Sequence, residues 1–236
     1  QREFKRQWGN QQFRKSKLTY LALFFLMVLY PGASLLFAED PATLFKDLDQ
    51  IALLAVLIST LFVQWAIFLL IYLTTYREET GLAGLGFRRL RLIHLAWTGA
   101  FLLATFSLLT ALTFVLAELG LPLSGEIALI VPQDTLGRTV WVLTSITAGI
   151  CEETAFRGYL MTRIRLLAGF KSWLWPVVIS SVIFGVCHYS YQGLPGLVII
   201  TVYGLLLALL YIYTRSLWPP IIAHFFQDFS ALFIPQ

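Results

Sequence analysis

The sequence predicts an all-α fold: a multi-pass transmembrane helical bundle of about seven spans, with six to eight compatible with the pattern. Three observations predict it. Of the 236 residues, 58% are hydrophobic and only 13% are charged, whereas soluble domains carry about 25% charged residues. Mean hydropathy is +0.76. The apolar residues gather into stretches of about 20, the length a helix needs to cross a bilayer, and basic residues concentrate in alternate connections between them.

The spans follow in order. Leu18–Ala38 is the first, and Pro31-Gly32 is expected to break it. Gln50–Tyr76 is long and very apolar, and Leu92–Gly120 is long enough to tilt or to extend past the bilayer. Thr139–Leu160 is the fourth. Trp173–Tyr191, Leu197–Thr214 and Trp218–Ile234 are short and close together. Internal repeats, low-complexity tracts and Ser/Gly linkers are not apparent, so residues 18–236 read as one helical membrane domain. No secretory signal peptide is recognisable; the first apolar segment is flanked like an anchoring span. The chain opens on Gln rather than Met, which leaves room for residues upstream.

Loop charge orients the bundle. With a cytoplasmic N-terminus, the inner segments hold Arg2, Lys5, Arg6, Arg14, Lys15, Lys17, Arg77, Arg88, Arg89, Arg91, Arg163, Arg165, Lys171 and Arg215. The outer ones hold only Lys46 and Arg138, beside Glu39, Asp40, Asp47, Asp49, Glu118, Glu126 and Asp134. This matches the positive-inside rule and accounts for the net charge of +4. Cations spread over separate loops make no stripe for nucleic acid. They read as lipid-facing topology determinants. Residues 1–17 mix Phe4, Trp8 and Phe13 with basic residues and are expected to lie along the membrane surface, with plain disorder as the alternative.

Against this background, residues 151–158 are anomalous: Cys-Glu-Glu-Thr-Ala-Phe-Arg-Gly inside an apolar span. A charged group at the bilayer centre costs roughly 2.5–3.5 kcal/mol on insertion scales. On a helix Glu153 and Arg157 share a face in the favourable order for an ion pair, and they read as structural support. Glu152 points about 100° away, onto the face of Ala155, Phe156 and Tyr159. An unpaired carboxylate in such a site is a candidate general base; a charge network that only joins helices is the bland alternative.

Two histidines strengthen the functional reading. His188 follows Phe184 by one turn, so the Phe184 ring packs beside its imidazole. His224 precedes Asp228 by one turn, so Asp228 can hold its tautomer and orientation. Polar groups in spans face the bundle interior or a water-filled cavity, so Glu152, His188, His224 and Asp228 are expected to converge near the midplane. In straight helices His188 falls about 9 Å to the outer side of its span's centre, which agrees poorly with the other residues. His94, at the start of the third span, reads as interfacial.

Two histidines and a carboxylate also match some zinc sites, but no His-Glu-x-x-His motif is present. Cys151 and Cys187 each precede a site residue, so they point elsewhere and read as small packing residues. Two cysteines in separate helices make no case for a disulfide. Trp173, Trp175 and Trp218 read as interfacial aromatics, Gly204 and Ala208 as a close helix contact, and Pro219-Pro220 as a helix start.

Together, Glu152-Glu-Thr-Ala-Phe-Arg157, Phe184-x-x-x-His188 and His224-x-x-x-Asp228 resemble the signature motifs of the CPBP family, also called the ABI or CAAX-protease family. The Glu-Glu-x-x-Phe-Arg-Gly-x-Leu form is similar to its bacterial and chloroplast branch. The resemblance covers roughly residues 145–230, with the core at about 139–234, and Asp228 stands where the best-known proteases have Asn. It implies a metal-free, cofactor-free glutamic intramembrane endopeptidase, with Glu152 activating water and His188 supporting the water or the glutamate. His224, oriented by Asp228, would stabilise the oxyanion, while Glu153 and Arg157 hold the helix. The expected partners are the lipid bilayer and a membrane-associated or lipidated peptide or protein substrate. An inactive member acting as a membrane scaffold or complex partner is the rival reading. A proton-relay transporter also fits intramembrane Glu and His, but paired broken helices are lacking. Plasma membrane or thylakoid fits the motif better than the endoplasmic reticulum.

Overall fold

In the computed structural model, which describes residues 14–38, 48–123 and 130–233, every regular element among the described residues is a helix. Phe4, Trp8 and Phe13 of the segment expected along the membrane surface, and the acidic loop positions Glu39, Asp40, Asp47 and Glu126 with Lys46, lie outside the described residues.

The first helix, α1, runs Lys17–Leu36. Ser16 starts it, its Oγ accepting the Thr19 N–H at 3.2 Å. Contrary to expectation, Pro31 does not break it. A wide turn over Phe25–Leu29, in which the Tyr30 N–H reaches back to the Phe25 carbonyl, takes up the register before the proline. Next come α2 (Gln50–Arg77) and α3 (Leu92–Glu118). Asp49 opens α2, its Oδ1 accepting from Ala52 N at 2.7 Å. Helix α4 covers residues 135–167 in three parts: Thr135–Glu153, a wide π turn Thr154–Leu160, and Met161–Leu167. Asp134 caps its start through the Gly137 N–H. The charged run thus straddles a junction: Glu152 and Glu153 end the regular helix and Arg157 lies in the π turn, a departure concentrated at functional sites.

Helix α5 (Leu174–Val186) is shorter than its predicted span. Helix α6 (Tyr189–Thr214) begins earlier than predicted and kinks at Gly193, whose φ of 60° suits glycine. Helix α7 (Trp218–Ser230) starts on Pro219-Pro220 and ends in a short 3₁₀ turn, Ala231–Phe233. Helices α1, α2, α3 and α6 are long and apolar enough to cross a membrane, and α5 is a shorter apolar helix. Large apolar side chains face outward, among them Leu92, Leu103 and Phe62, as lipid solvation permits.

Helix α4 lies at the centre, packed by α2 on one side and α7 on another. Contact with α7 is close because Gly149 has no side chain: a β-carbon there would stand 2.7 Å from the Ile221 carbonyl oxygen. Helix α3 packs on α6 and α7.

At the basic end of the bundle, Arg163 departs from expectation. It is fully buried, not a loop cation facing lipid headgroups. Its Nε and Nη2 both donate to Glu78 Oε2, at 3.0 and 2.5 Å. Glu78 Oε1 accepts from Thr19 Oγ1 at 2.8 Å and Tyr159 OH at 3.1 Å. One carboxylate therefore joins α1, the end of α2 and α4.

Candidate active site

Four helices deliver the candidate residues. Glu152 and Glu153 end the regular part of α4, and Arg157 lies in its π turn. His188 stands between α5 and α6, and His224 and Asp228 lie on α7. The structure brings Glu152, His188, His224 and Asp228 into one cluster. The expected depth mismatch of His188 disappears because α5 ends at Val186. His188 then sits in the turn toward α6 and reaches back to the cluster.

Glu152 Oε2 is 3.9 Å from His188 Nε2 and 3.9 Å from His224 Nε2. It has no hydrogen-bond partner among the described residues. Both rings present Nε2 because their other nitrogens are engaged. His188 Nδ1–H donates to the Phe184 carbonyl at 2.7 Å. His224 Nδ1–H donates to Glu153 Oε1 at 2.8 Å, a carboxylate being able only to accept. The Phe184 ring packs against His188 as expected, with centroids 4.6 Å apart.

Two expectations change. Asp228 does not fix the tautomer of His224; Glu153 does. Asp228 Oδ2 instead lies 3.6 Å from Nε2, the nitrogen that faces Glu152. Glu153 is also more than a partner of Arg157. The ion pair is present, Arg157 Nη1 to Glu153 Oε1 at 2.7 Å, but the same oxygen accepts from His224. Arg157 also lies over the Phe184 ring, 4.2 Å from its centroid. Pair and imidazole form one chain from α4 to α7.

Sequence reasoning missed other residues. Gln64 of α2 donates from Nε2 to Glu152 Oε1 at 2.7 Å, so Glu152 is not wholly unpaired. The signal was legible: an amide in the middle of an apolar span. Trp141 Nε1 donates to the Asp228 carbonyl at 3.0 Å, tying α4 to the end of α7. Ser180 Oγ donates to the Phe156 carbonyl inside the π turn at 2.9 Å. Tyr203 is buried, with its ring 5.9 Å from that of His224 and its hydroxyl without a hydrogen-bond partner among the described residues. Such pairings depend on which way each helix faces its neighbour, which spacing along one helix does not encode.

The cluster lines a cavity of about 690 Å³. One wall is a face of α2 (Leu53, Leu57, Thr60, Gln64) and another is a face of α3 (Phe106, Leu109, Thr113). Exposure rises across the cluster: Glu153 0%, His224 5%, His188 13%, Glu152 16%, Asp228 32%. The ion pair is sealed in protein, and the four candidate groups grade toward the cavity. Among the described residues, no group of His, Cys, Asp and Glu side chains is arranged to hold a metal ion. Cys151 and Cys187 are buried free thiols. His94 stays apart in the first turn of α3, where its Nδ1 accepts the Arg91 N–H at 3.3 Å.

Fold and cluster together define a helical integral membrane protein with a glutamate–histidine site inside its bundle. Residues 134–230, the stretch that holds the whole cluster except Gln64, match the family model described as Rce1-like, type II CAAX prenyl endopeptidase Rce1-like. Over these residues the chain is similar to the CAAX-protease, or CPBP, family, and the match supports that family for it. That similarity supports an enzyme of the CAAX-protease type acting on a membrane-associated substrate. No curated protein and no solved structure matches the chain.

Proposed function

We propose that the protein is a glutamic intramembrane endopeptidase that cleaves a peptide bond of a membrane-associated or lipidated substrate. The observation that carries this reading is the placement of Glu152 Oε2. It belongs to a residue that lines the cavity, has no donor among the described residues, and is equidistant from two imidazole Nε2 atoms.

A water held between Glu152 and His188 loses a proton to Glu152 as its oxygen attacks the scissile carbonyl carbon. His188, with Nδ1–H fixed on Phe184, offers an Nε2 lone pair to the water's second hydrogen. His224, protonated on both nitrogens and held by Glu153, turns its Nε2–H to the developing oxyanion; such donors are often the largest single term in acyl transfer. Collapse of the tetrahedral intermediate breaks the C–N bond, and Glu152 returns its proton to the leaving nitrogen. Asp228 balances the imidazolium, and Arg157 fixes Glu153. No step is assigned to a metal ion, since His224 takes the electrophilic role.

The family description makes a prenylated peptide ending in a CAAX-type sequence the first reporter to try. In proteoliposomes, Glu152→Gln should lower turnover by about 10³-fold or more at an unchanged melting temperature, and a chelator should leave the parent active. Parental turnover by Glu152→Gln would sink the mechanism. Loss of activity to the chelator would sink its metal independence. The N-terminus is assigned to the cytoplasmic face and the protein to a plasma or thylakoid membrane, on loop charge and motif form.

A further inference from the structure

Gln64 lies midway along α2, a 28-residue helix that is otherwise strongly apolar. A primary amide there brings two donors and an acceptor oxygen into a region that solvates neither. The side chain is buried, at 6% exposure. Its Nε2 donates to Glu152 Oε1 at 2.7 Å. The acceptor-only carboxylate fixes which way the amide points, so Gln64 Oε1 is the atom turned away from Glu152. That oxygen has no hydrogen-bond partner among the described residues, and Gln64 lines the cavity. The next residue, Trp65, donates to Thr147 Oγ1 at 3.3 Å, a second tie between α2 and α4 at this level.

A free glutamate side chain would present either oxygen to the histidines and sample several rotamers. Here Oε1 is held and Oε2 alone faces His188 and His224. The buried acceptor of Gln64, a residue on the wall of the same cavity, costs free energy until a donor meets it. An extended peptide beside Glu152 offers such a donor in every backbone N–H.

We infer that Gln64 is a positioning and substrate-recognition residue: it pins Glu152 Oε1 so that Oε2 reacts, and its own Oε1 accepts a backbone N–H of the bound peptide. This rests on reading Glu152 as the base. Helix α2, which lies outside the matched region 134–230, is then a wall of the active site and not only an anchor. The site prefers a peptide that enters extended, with one N–H near the cleaved bond free to donate. A segment whose N–H groups are all satisfied in a helix must unwind there first.

The test uses full-length protein in proteoliposomes and the reporter above, unmodified or N-methylated in turn at each residue flanking the cleaved bond. Gln64→Met keeps the shape and loses the amide. It should lower kcat by about 10–100-fold with little change in KM, because a misplaced base is felt in the transition state. Its pH–rate profile should also be displaced from the parent's, which a purely structural role would not produce. N-methylation at one position should cost the parent about 10-fold in kcat/KM and cost Gln64→Met nothing further. Gln64→Leu should behave like Gln64→Met, and both should melt close to the parent.

Parental kcat in Gln64→Met, beside a dead Glu152→Gln, overturns the role of Gln64 and leaves Glu152 standing. An active Glu152→Gln overturns both. An undisplaced pH profile overturns positioning, and equal N-methyl penalties in parent and variant overturn recognition.

Discussion

Glu152 and Arg163 lie about three turns apart on one helix, yet the clusters around them are built differently. Around Arg163 every acceptor of the partner is used. Glu78 Oε1 takes two hydroxyls and Oε2 takes two guanidinium nitrogens, both residues being 0% exposed. Further donation from Arg163 reaches Thr80 and Thr162. Around Glu152 the bonding is incomplete. Oε2, Gln64 Oε1 and the Tyr203 hydroxyl lack partners among the described residues, and exposure rises toward a cavity. A saturated cluster fastens helices. An unsaturated one, at the same cost of buried polarity, keeps atoms free to engage a substrate. The difference between them separates support from chemistry more sharply than burial does.

The largest stability effect should come from opening the saturated cluster. Arg163→Met leaves Glu78 buried without its cation, and breaking a buried pair from one side costs about 3–5 kcal/mol. Thermal unfolding in detergent should show it as a large fall in midpoint. Adding Glu78→Gln should restore at least half of the loss, because the amide still bonds Thr19 and Tyr159 and no charge is stranded. If Arg163→Met melts like the parent, the fastening role of this cluster is wrong. Glu152→Gln, in contrast, should lose turnover and keep its midpoint.

Much of this was legible in the sequence, and the limits have physical causes. The helical class follows from apolar runs of membrane length, and each predicted span corresponds to a helix among the described residues. Helix ends were less legible. Pro31 reads as a break, but a wide turn upstream absorbs it. The short α5 and early start of α6 shift the boundary between two predicted spans into His188–Tyr189, and a kink at Gly193 lets one helix run through the segment that reads as their connection. In the site, residues one turn apart in sequence read as neighbours and lie together: Glu153 with Arg157, Phe184 with His188, and His224 with Asp228. Partners on different helices do not read as such. Glu153 with His224, Gln64 with Glu152 and Glu78 with Arg163 depend on the rotation of each helix against its neighbour, which spacing along one chain does not fix. Arg163 reads as a loop cation in the sequence because a count of charges at span ends treats buried and solvated ones alike.

A smaller effect tests whether the two clusters are independent. Gly204 of α6 leaves room for the guanidinium that holds Glu153: a β-carbon there would lie 3.1 Å from Arg157 Nη2 and 3.2 Å from the Phe184 ring. Gly204→Ala should cost about 1–3 kcal/mol by overpacking. It should also lower turnover, because Arg157, Glu153 and His224 move as one chain. The Arg163 cluster should not respond: adding Arg163→Met to Gly204→Ala should give additive losses in unfolding free energy, as expected for sites that share no partner. Clear non-additivity would mean that α4 transmits strain between the clusters.

The smallest predicted effect concerns the open rim of the site. Trp141 Nε1 donates to the carbonyl of Asp228, one turn past His224 on α7. Trp141→Phe removes that bond and keeps most of the ring, so the stability cost should be about 1 kcal/mol. Its kinetic signature should differ from that of the Glu152 and Gln64 variants. Asp228, at 32% side-chain exposure, is the most open of the four candidate groups, and loosening its backbone should leave the water, Glu152 and His188 in place. The expected result is a turnover loss of several-fold at most, readable in steady-state kinetics on the same reporter. A loss as deep as that of Glu152→Gln would mean that the end of α7, and not the glutamate on α4, limits the reaction.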